Sequence, residues 1–354
     1  MPAPGKPWIT ANQVTVLRLI PMPLLSWMIY KGHSDHNDTY LWAALIAGIV
    51  VGSTDWVDGM LARKYGPTVF GGLLDPIADK IFIAFAYTPF ADHDVLVPWW
   101  ACALMFTREF FITALRSAYE QRDLTMKTSY IAKAKTWAQM QGIGVMLLFP
   151  LVDNRTILLG IIGVGIALPL VAMAGLYIVK KKLWLAALWM SLSFCGLMAV
   201  YLIKPEYGPP AVMIGVLALT WISGFGYIAV GWKQLRGRAD FRRADTVRLI
   251  GALSVPILAY AVLEYTDAPR WTIFTILAFE LAVGGLDNLL SHHKVATNAL
   301  AWGGRVLGVS TMLGAALLLP AFAVPFSIVA AAGSAGGVIA EFVRGKPYYV
   351  NALD

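Results

Sequence analysis

The sequence predicts an all-α protein, a polytopic integral membrane helix bundle of about twelve transmembrane helices. Three observations carry that prediction. Of 354 residues, 58% are hydrophobic and only 14% charged, against roughly 45–50% and about 25% in soluble domains. Apolar windows of about 20 residues, the length that crosses hydrocarbon, recur along the whole chain. Lys and Arg crowd into alternate breaks between those windows. This composition excludes a soluble enzyme and a disordered chain, and no window alternates like a barrel strand.

The first span, 12–31, follows Lys6 and contains Arg18, Pro21 and Pro23; with no small-residue cleavage site after it, it is taken as a retained helix rather than a signal peptide. The second, 40–62, begins after the polar break 32–39 and ends at Arg63 and Lys64. Spans 72–91 and 96–117 are separated only by Asp92–Val95. The fifth, 134–152, follows the basic stretch from Arg122 to Lys135. Spans 157–179 and 183–203 flank Lys180, Lys181 and Lys182, and 211–232 follows Lys204 and two prolines. Beyond a cluster running from Lys233 to Arg248 come 247–265 and 271–290, then 299–319 and 325–343.

With the N-terminus inside, the outer breaks hold only Arg155, Lys204 and Arg270, and every other basic cluster falls inside. Both termini are therefore predicted to be cytoplasmic. The formal net charge of +7 reflects this topology and implies no nucleic acid partner. The stretch 233–248 reads as a solvated basic loop near anionic lipid rather than a surface helix. Cys102 and Cys195 lie far apart in apolar runs and read as packing residues.

The informative stretch is 54–80, TDWVDGMLARKYGPTVFGGLLDPIADK. Asp55 and Asp58, spaced i, i+3, share one helix face. Asp75 and Asp79, spaced i, i+4, share another. The break between the helices is short and contains Gly66 and Pro67, so the four carboxylates can converge. An isolated Asp pair at a membrane edge reads most simply as a solvated helix end. Four acids at the edge of hydrocarbon need a cation. No His or Cys cluster lies near, and hard oxygen ligands favour Mg2+ or Mn2+, as a pair of ions. Gly59 and Ala62 leave a smooth face for close approach, and Arg63 supplies a fork of donors suited to phosphate.

These residues resemble the CDP-alcohol phosphotransferase (CDP-alcohol phosphatidyltransferase) family. Its signature is two Asp three apart, Gly, Ala-Arg, a spacer, Gly, and two more Asp four apart; here it falls on Asp55, Asp58, Gly59, Ala62, Arg63, Gly71, Asp75 and Asp79. The spacer is one residue shorter than usual, which reads as a loop deletion. The resemblance implies a six-helix catalytic unit open to the cytoplasm, two divalent metals, and transfer of a phosphatidyl group from CDP-diacylglycerol to an alcohol with release of CMP. It further implies that Asp55, Asp58, Asp75 and Asp79 bind metal, that Asp79 is the catalytic base, and that Asp58, Gly59, Ala62, Arg63 and Gly71 bind nucleotide.

Arg108 with Glu109 lies within an apolar run, where a partner or ligand is expected. Arg116, Lys133 and Lys135 taken singly are ordinary positive-inside residues; together with Arg108 they form a candidate acceptor phosphate site. These segments, and an opening helix with Asn12, Thr15 and Arg18, resemble the bacterial phosphatidylglycerophosphate synthases. That likeness implies glycerol 3-phosphate as acceptor, a bacterial cytoplasmic membrane location and a role in phospholipid biosynthesis. Inositol phosphate, serine, choline and phosphatidylglycerol stay open as alternatives.

The likeness covers the first five helices, and 219–235 resembles the family's last helix. The expected domains are thus 1–235, catalytic, with a two-helix insertion at about 153–205, and 236–354, an extension of unknown role. In that extension Glu280, Asp287, Asn288, His292 and His293 read as helix-end or interhelical polar contacts. Gly303, Gly304, Gly333, Gly336 and Gly337 suggest tight packing, including a homodimer contact. A transporter or lipid flippase is the rival class, disfavoured because no matched pair of broken helices appears in the two halves.

Overall fold

The computed structural model describes residues 9–66, 69–92, 96–124, 130–181, 183–236, 242–295 and 297–349. Among these residues there are thirteen α-helices and no strand. The first predicted span is broken. Ala11–Leu19 forms a short helix, α1, and Met22–Ser34 forms α2, because Pro21 and Pro23 cannot donate to the turn before them. At nine residues α1 is far too short to cross a membrane. Thr10 starts it with a capping box, its hydroxyl accepting from Gln13 N–H and its own N–H donating to Gln13 Oε1.

The remaining helices follow the predicted spans closely: α3 Asp38–Tyr65, α4 Val69–Ala91, α5 Trp99–Glu120, α6 Tyr130–Leu151, α7 Arg155–Lys180, α8 Leu185–Ile203, α9 Gly208–Arg236, α10 Arg243–Tyr265, α11 Arg270–His292, α12 Ala299–Leu318 and α13 Ala323–Tyr349. Eight segments of the described residues are long and apolar enough to cross a membrane, α3 and those containing α7 to α13. On the exposed surface of α7, Leu168, Val171 and Ile178 are 64%, 67% and 71% exposed, a surface that requires lipid. The stretch read as a basic loop is largely helical, since α9 runs to Arg236 and α10 begins at Arg243; residues 237–241 lie outside the described set. Cys102 is buried as expected, whereas Cys195 is exposed.

α1 lies along α3 and α4, α2 packs on both, and α9 packs on α5 and α6. α10 runs along α5, and α11 lies against α4 and α5. One hydrophobic core consequently joins the first six helices to the extension, from Met22, Phe82 and Phe106 through Tyr260, Leu263 and Leu277. α7 and α8 stand apart with their own small core of Leu158, Ile162, Leu197 and Tyr201.

The extension is also tied down by charge. Arg248, counted with the basic loop in the sequence, is buried and bonds both oxygens of Asp287 at 2.8 and 2.9 Å, and Asp245 at 3.0 Å. Asp245 also receives Arg122, two residues beyond α5, at 2.7 Å. The other polar residues of α11 likewise contact neighbouring helices: Glu280 pairs with Arg305 of α12, and Asn288 accepts from Ser117 of α5. His292 meets Glu120 at 2.9 Å. Each predicted outer cation has a local partner: Arg155 bonds the Leu202 carbonyl, Lys204 sits over the Tyr207 ring, and Arg270 pairs with Asp92.

Removing one member of a buried ion network strands the others. Asp287→Leu should therefore cost about 3–5 kcal/mol, seen as a lower Tm of the purified protein in detergent, whereas Asp35→Ala at the exposed Lys31–Asp35 pair should leave Tm unchanged.

Candidate active site

α3 is started by Asn37, whose side chain accepts from Thr39 N–H at 3.0 Å, and it ends where Gly66 takes φ +101°, a conformation that L side chains rarely adopt. The ladder runs through this last stretch and holds Asp55 and Asp58 on one face. On α4, Pro76 lacks the N–H that would bond the Gly72 carbonyl, directly beside Asp75. The short α1 then brings its own face, Thr15 and Arg18, against both pairs.

All four predicted acids converge on those two residues. Arg18 Nη1 lies 2.9 Å from Asp55 Oδ1 and 3.0 Å from Asp79 Oδ1, and Nη2 lies 3.7 Å from Asp58 Oδ2. Thr15 Oγ1 stands 3.0 Å from Asp58 Oδ2 and 2.8 Å from Asp75 Oδ1. Arg18 and Asp58 are buried, while Asp55 is half exposed. One guanidinium among four carboxylates leaves a strong negative excess, and the single proton of the Thr15 hydroxyl cannot satisfy two carboxylates at once. Asp79 Oδ1 is buried and faces Arg18 Nη1 as an ion pair that lacks hydrogen-bond geometry.

That donor set, carboxylate oxygens that outnumber their one guanidinium, fits a hard divalent cation. With Arg18 seated between them, no three acidic groups among the described residues surround a common point for an ion. Gly59 faces the Arg63 guanidinium; a Cβ there would stand 3.3 Å from Arg63 Nη1. Arg63 is exposed and Ala62 half-buried, Gly71 is buried, and Gly72 is exposed with open space at its Cβ position.

Beside the acids lies a cavity of about 210 Å³ with polar groups from four helices: Asp79 and Lys80 of α4, Arg108, Glu109 and Arg116 of α5, Lys135 of α6 and Tyr227 of α9. Arg108, Arg116 and Lys135 are thus brought together as predicted; the side chain of Lys133 lies outside those described. The partner expected for Arg108 is double. Its Nη1 meets Glu109 Oε1 at 3.3 Å and its Nη2 donates to Ser223 Oγ of α9 at 2.9 Å. Glu109 Oε1 also receives Lys135 at 2.6 Å and Gln139 at 3.4 Å. Lys80 donates to Thr113 Oγ1, whose own proton goes to the Glu109 carbonyl at 2.7 Å. Asp79 belongs to both regions, touching Arg18 on one side and lining the cationic cavity on the other.

Sequence reasoning assigned no role to Thr15, Arg18, Lys80, Ser223 or Tyr227. The signal for Arg18 was present, as a cation inside an apolar run with a hydroxyl three residues before it. Ser223 and Tyr227, four apart on α9, carried no comparable cue.

The description CDP-alcohol phosphatidyltransferase belongs to the family model that matches residues 8–173. A Mycobacterium tuberculosis protein named probable phosphatidylglycerophosphate synthase is 37% identical over 141 residues, which make up 39% of this chain and 65% of that protein. A Bacillus subtilis protein named CDP-diacylglycerol–glycerol-3-phosphate 3-phosphatidyltransferase is 32% identical over 146 residues, 39% of this chain and 75% of its own length. A Salmonella choleraesuis protein of the same name is 33% identical with the same coverage. This chain therefore spans just under two thirds of the Mycobacterium protein's length. No solved structure gives a significant match.

Arg18→Met should lower the Tm in chelator and enlarge the stabilisation given by Mg2+ in a thermal shift assay, because the carboxylates then lack their fixed counter-charge. Equal melting of variant and wild type in chelator would remove Arg18 from that role.

Proposed function

The chain belongs to the CDP-alcohol phosphatidyltransferase family, and on that premise we propose that it transfers the phosphatidyl group of CDP-diacylglycerol to the hydroxyl of glycerol 3-phosphate in phospholipid biosynthesis. The single observation behind this reading is the position of Asp79, at the junction of an all-carboxylate cluster and a cavity rich in Arg and Lys. A nucleotide-linked lipid and a phosphorylated acceptor make opposite demands on a site, and these two regions match them in turn. The names carried by the bacterial relatives point to the same acceptor.

Asp55, Asp58, Asp75 and Asp79 would hold Mg2+ or Mn2+, which neutralises the pyrophosphate and the departing CMP when bound. Arg63, beside the small Gly59, offers its fork to a phosphate of the nucleotide, with Asp58, Ala62 and Gly71 completing that face. Arg108, Arg116, Lys133 and Lys135 receive the acceptor phosphate. Glu109 keeps Arg108 and Lys135 apart at fixed distances and limits their mutual repulsion. Asp79 takes the proton of the acceptor hydroxyl as its oxygen attacks the phosphatidyl phosphorus; the bond to CMP breaks and CMP leaves with the electron pair.

The catalytic unit is 1–235, with α7 and α8 as an insertion at about 153–205 and 236–354 as an extension. In support, α9 packs on α5 and α6 and supplies Ser223 and Tyr227, whereas α7 packs chiefly on α8. The acid-bearing end and both termini face the cytoplasm, in the cytoplasmic membrane of a bacterium, following the distribution of Lys and Arg. A homodimer contact fits the groove between α12 and α13, where Gly304, Gly308 and Gly336 have open space at the Cβ position.

Purified protein given CDP-diacylglycerol, Mg2+ or Mn2+ and each acceptor in turn should release CMP with glycerol 3-phosphate. Release only with serine, inositol phosphate or phosphatidylglycerol would reassign the acceptor. Asp79→Asn should lower turnover by at least about a hundredfold while nucleotide binding persists, and retained turnover would remove the base assignment.

A further inference from the structure

α11 belongs to the extension, yet it packs against Thr113, which lines the cationic cavity. A Cβ at Gly284 would stand 2.9 Å from Thr113 Cγ2, with only Thr113 Cβ otherwise within range, at 3.9 Å. A Cβ at Gly285 would run into Ile77, two residues before Asp79. One turn further along, Asn288 accepts from Ser117 at 2.6 Å. α11 thus presses a side-chain-free backbone against the Thr113 methyl, whose hydroxyl accepts from Lys80 inside the cavity. Thr113 is buried. Being β-branched on a helix and bonded to the Glu109 carbonyl, it has few positions open to it. Its methyl and its hydroxyl move together, so pressure on one redirects the other.

We infer that α11 of the extension is a positioning element of the acceptor cavity: Gly284 fixes the rotamer of Thr113, and Thr113 holds Lys80 toward the anionic group of the acceptor. This rests on the reading that the acceptor carries a phosphate. Lys80 is then an acceptor-binding cation that the motif hides, since it directly follows Asp79. Gly284 and Thr113 act only through it.

The test is a steady-state comparison of KM for glycerol 3-phosphate with KM for CDP-diacylglycerol. Thr113→Val keeps the shape and loses the hydroxyl, so it should raise the acceptor KM about tenfold while the CDP-diacylglycerol KM stays within about twofold. Gly284→Ala forces the Thr113 methyl aside and should raise the acceptor KM in the same selective way. Thr113→Ser removes that methyl and keeps the hydroxyl, so adding Gly284→Ala to Thr113→Ser should cause no further rise. A merely structural role would lower yield and Tm and affect both substrates together, with no rescue by serine; that pattern overturns the inference. Wild-type CMP release with glycerol 3-phosphate, combined with unchanged acceptor KM in Thr113→Val and Gly284→Ala, overturns it while leaving the proposed function intact. Absence of wild-type release with that acceptor overturns the phosphorylated-acceptor reading and the inference with it.

Discussion

Carboxylates gathered at the end of apolar helices repel one another and lose hydration, so the protein can hold four of them together only by supplying positive charge at the same spot. Arg18 meets that demand within the chain, in contact with Asp55, Asp58 and Asp79. Its delivery explains why the first span is broken. A single straight helix over 12–31 would run alongside its neighbours, whereas the break at Ile20 and Pro21 lets α1 lie along α3 and α4 at their acidic ends. Arg18 and Thr15, three apart, then face the cluster together. The remaining negative excess is the electrostatic reason that divalent cations suit this place, and it draws a boundary with the neighbouring cavity, where the excess is positive.

The same logic of paired burial holds the extension in place. Arg122, Asp245, Arg248 and Asp287 form a network with side chains at most 2% exposed, joining the turn after α5 to α10 and α11. Such networks add little net stability over an apolar core, but they penalise any shift of one helix against another. Here the helices they lock are the one that carries Arg108 and Glu109 and the one that presses on Thr113. The charged network and Gly284 therefore act on the same α5–α11 contact, one by fixing register and the other by allowing close approach.

Much of this was legible in the sequence. Twelve apolar windows located the helices because hydrocarbon thickness sets a length that composition cannot disguise. The acids were legible because i, i+3 and i, i+4 spacing fixes a shared face before any tertiary contact forms. What could not be read was set by packing between distant segments. Arg248 sits at the edge of a basic run and looks solvated, yet it is buried because Asp287, 39 residues later, meets it from α11. Ser223 bonds Arg108 across 115 residues. The break in the first helix was visible as Pro21 and Pro23, but prolines also occur inside α7 and α10 without dividing them. Its consequence became clear only with the position of α1.

The two charge regions also account for Glu109, the carboxylate set among the cavity's cations. Without Glu109, Lys80, Arg108 and Lys135 would repel one another in a largely buried space and their side chains would spread. With it, Lys135 and Arg108 share one oxygen, and Lys80 is held separately through Thr113, whose hydroxyl bonds the Glu109 carbonyl. Neutralising every cation would leave nothing to attract an anion. Two carboxylates, Glu109 within and Asp79 at the edge, against four cationic groups leave the cavity positive, so under the proposed function a phosphate would complete the charge balance instead of disturbing it. Asp79 lies where that positive region meets the acidic one, so under the proposed function a hydroxyl carried on a bound phosphate would come within reach of its carboxylate.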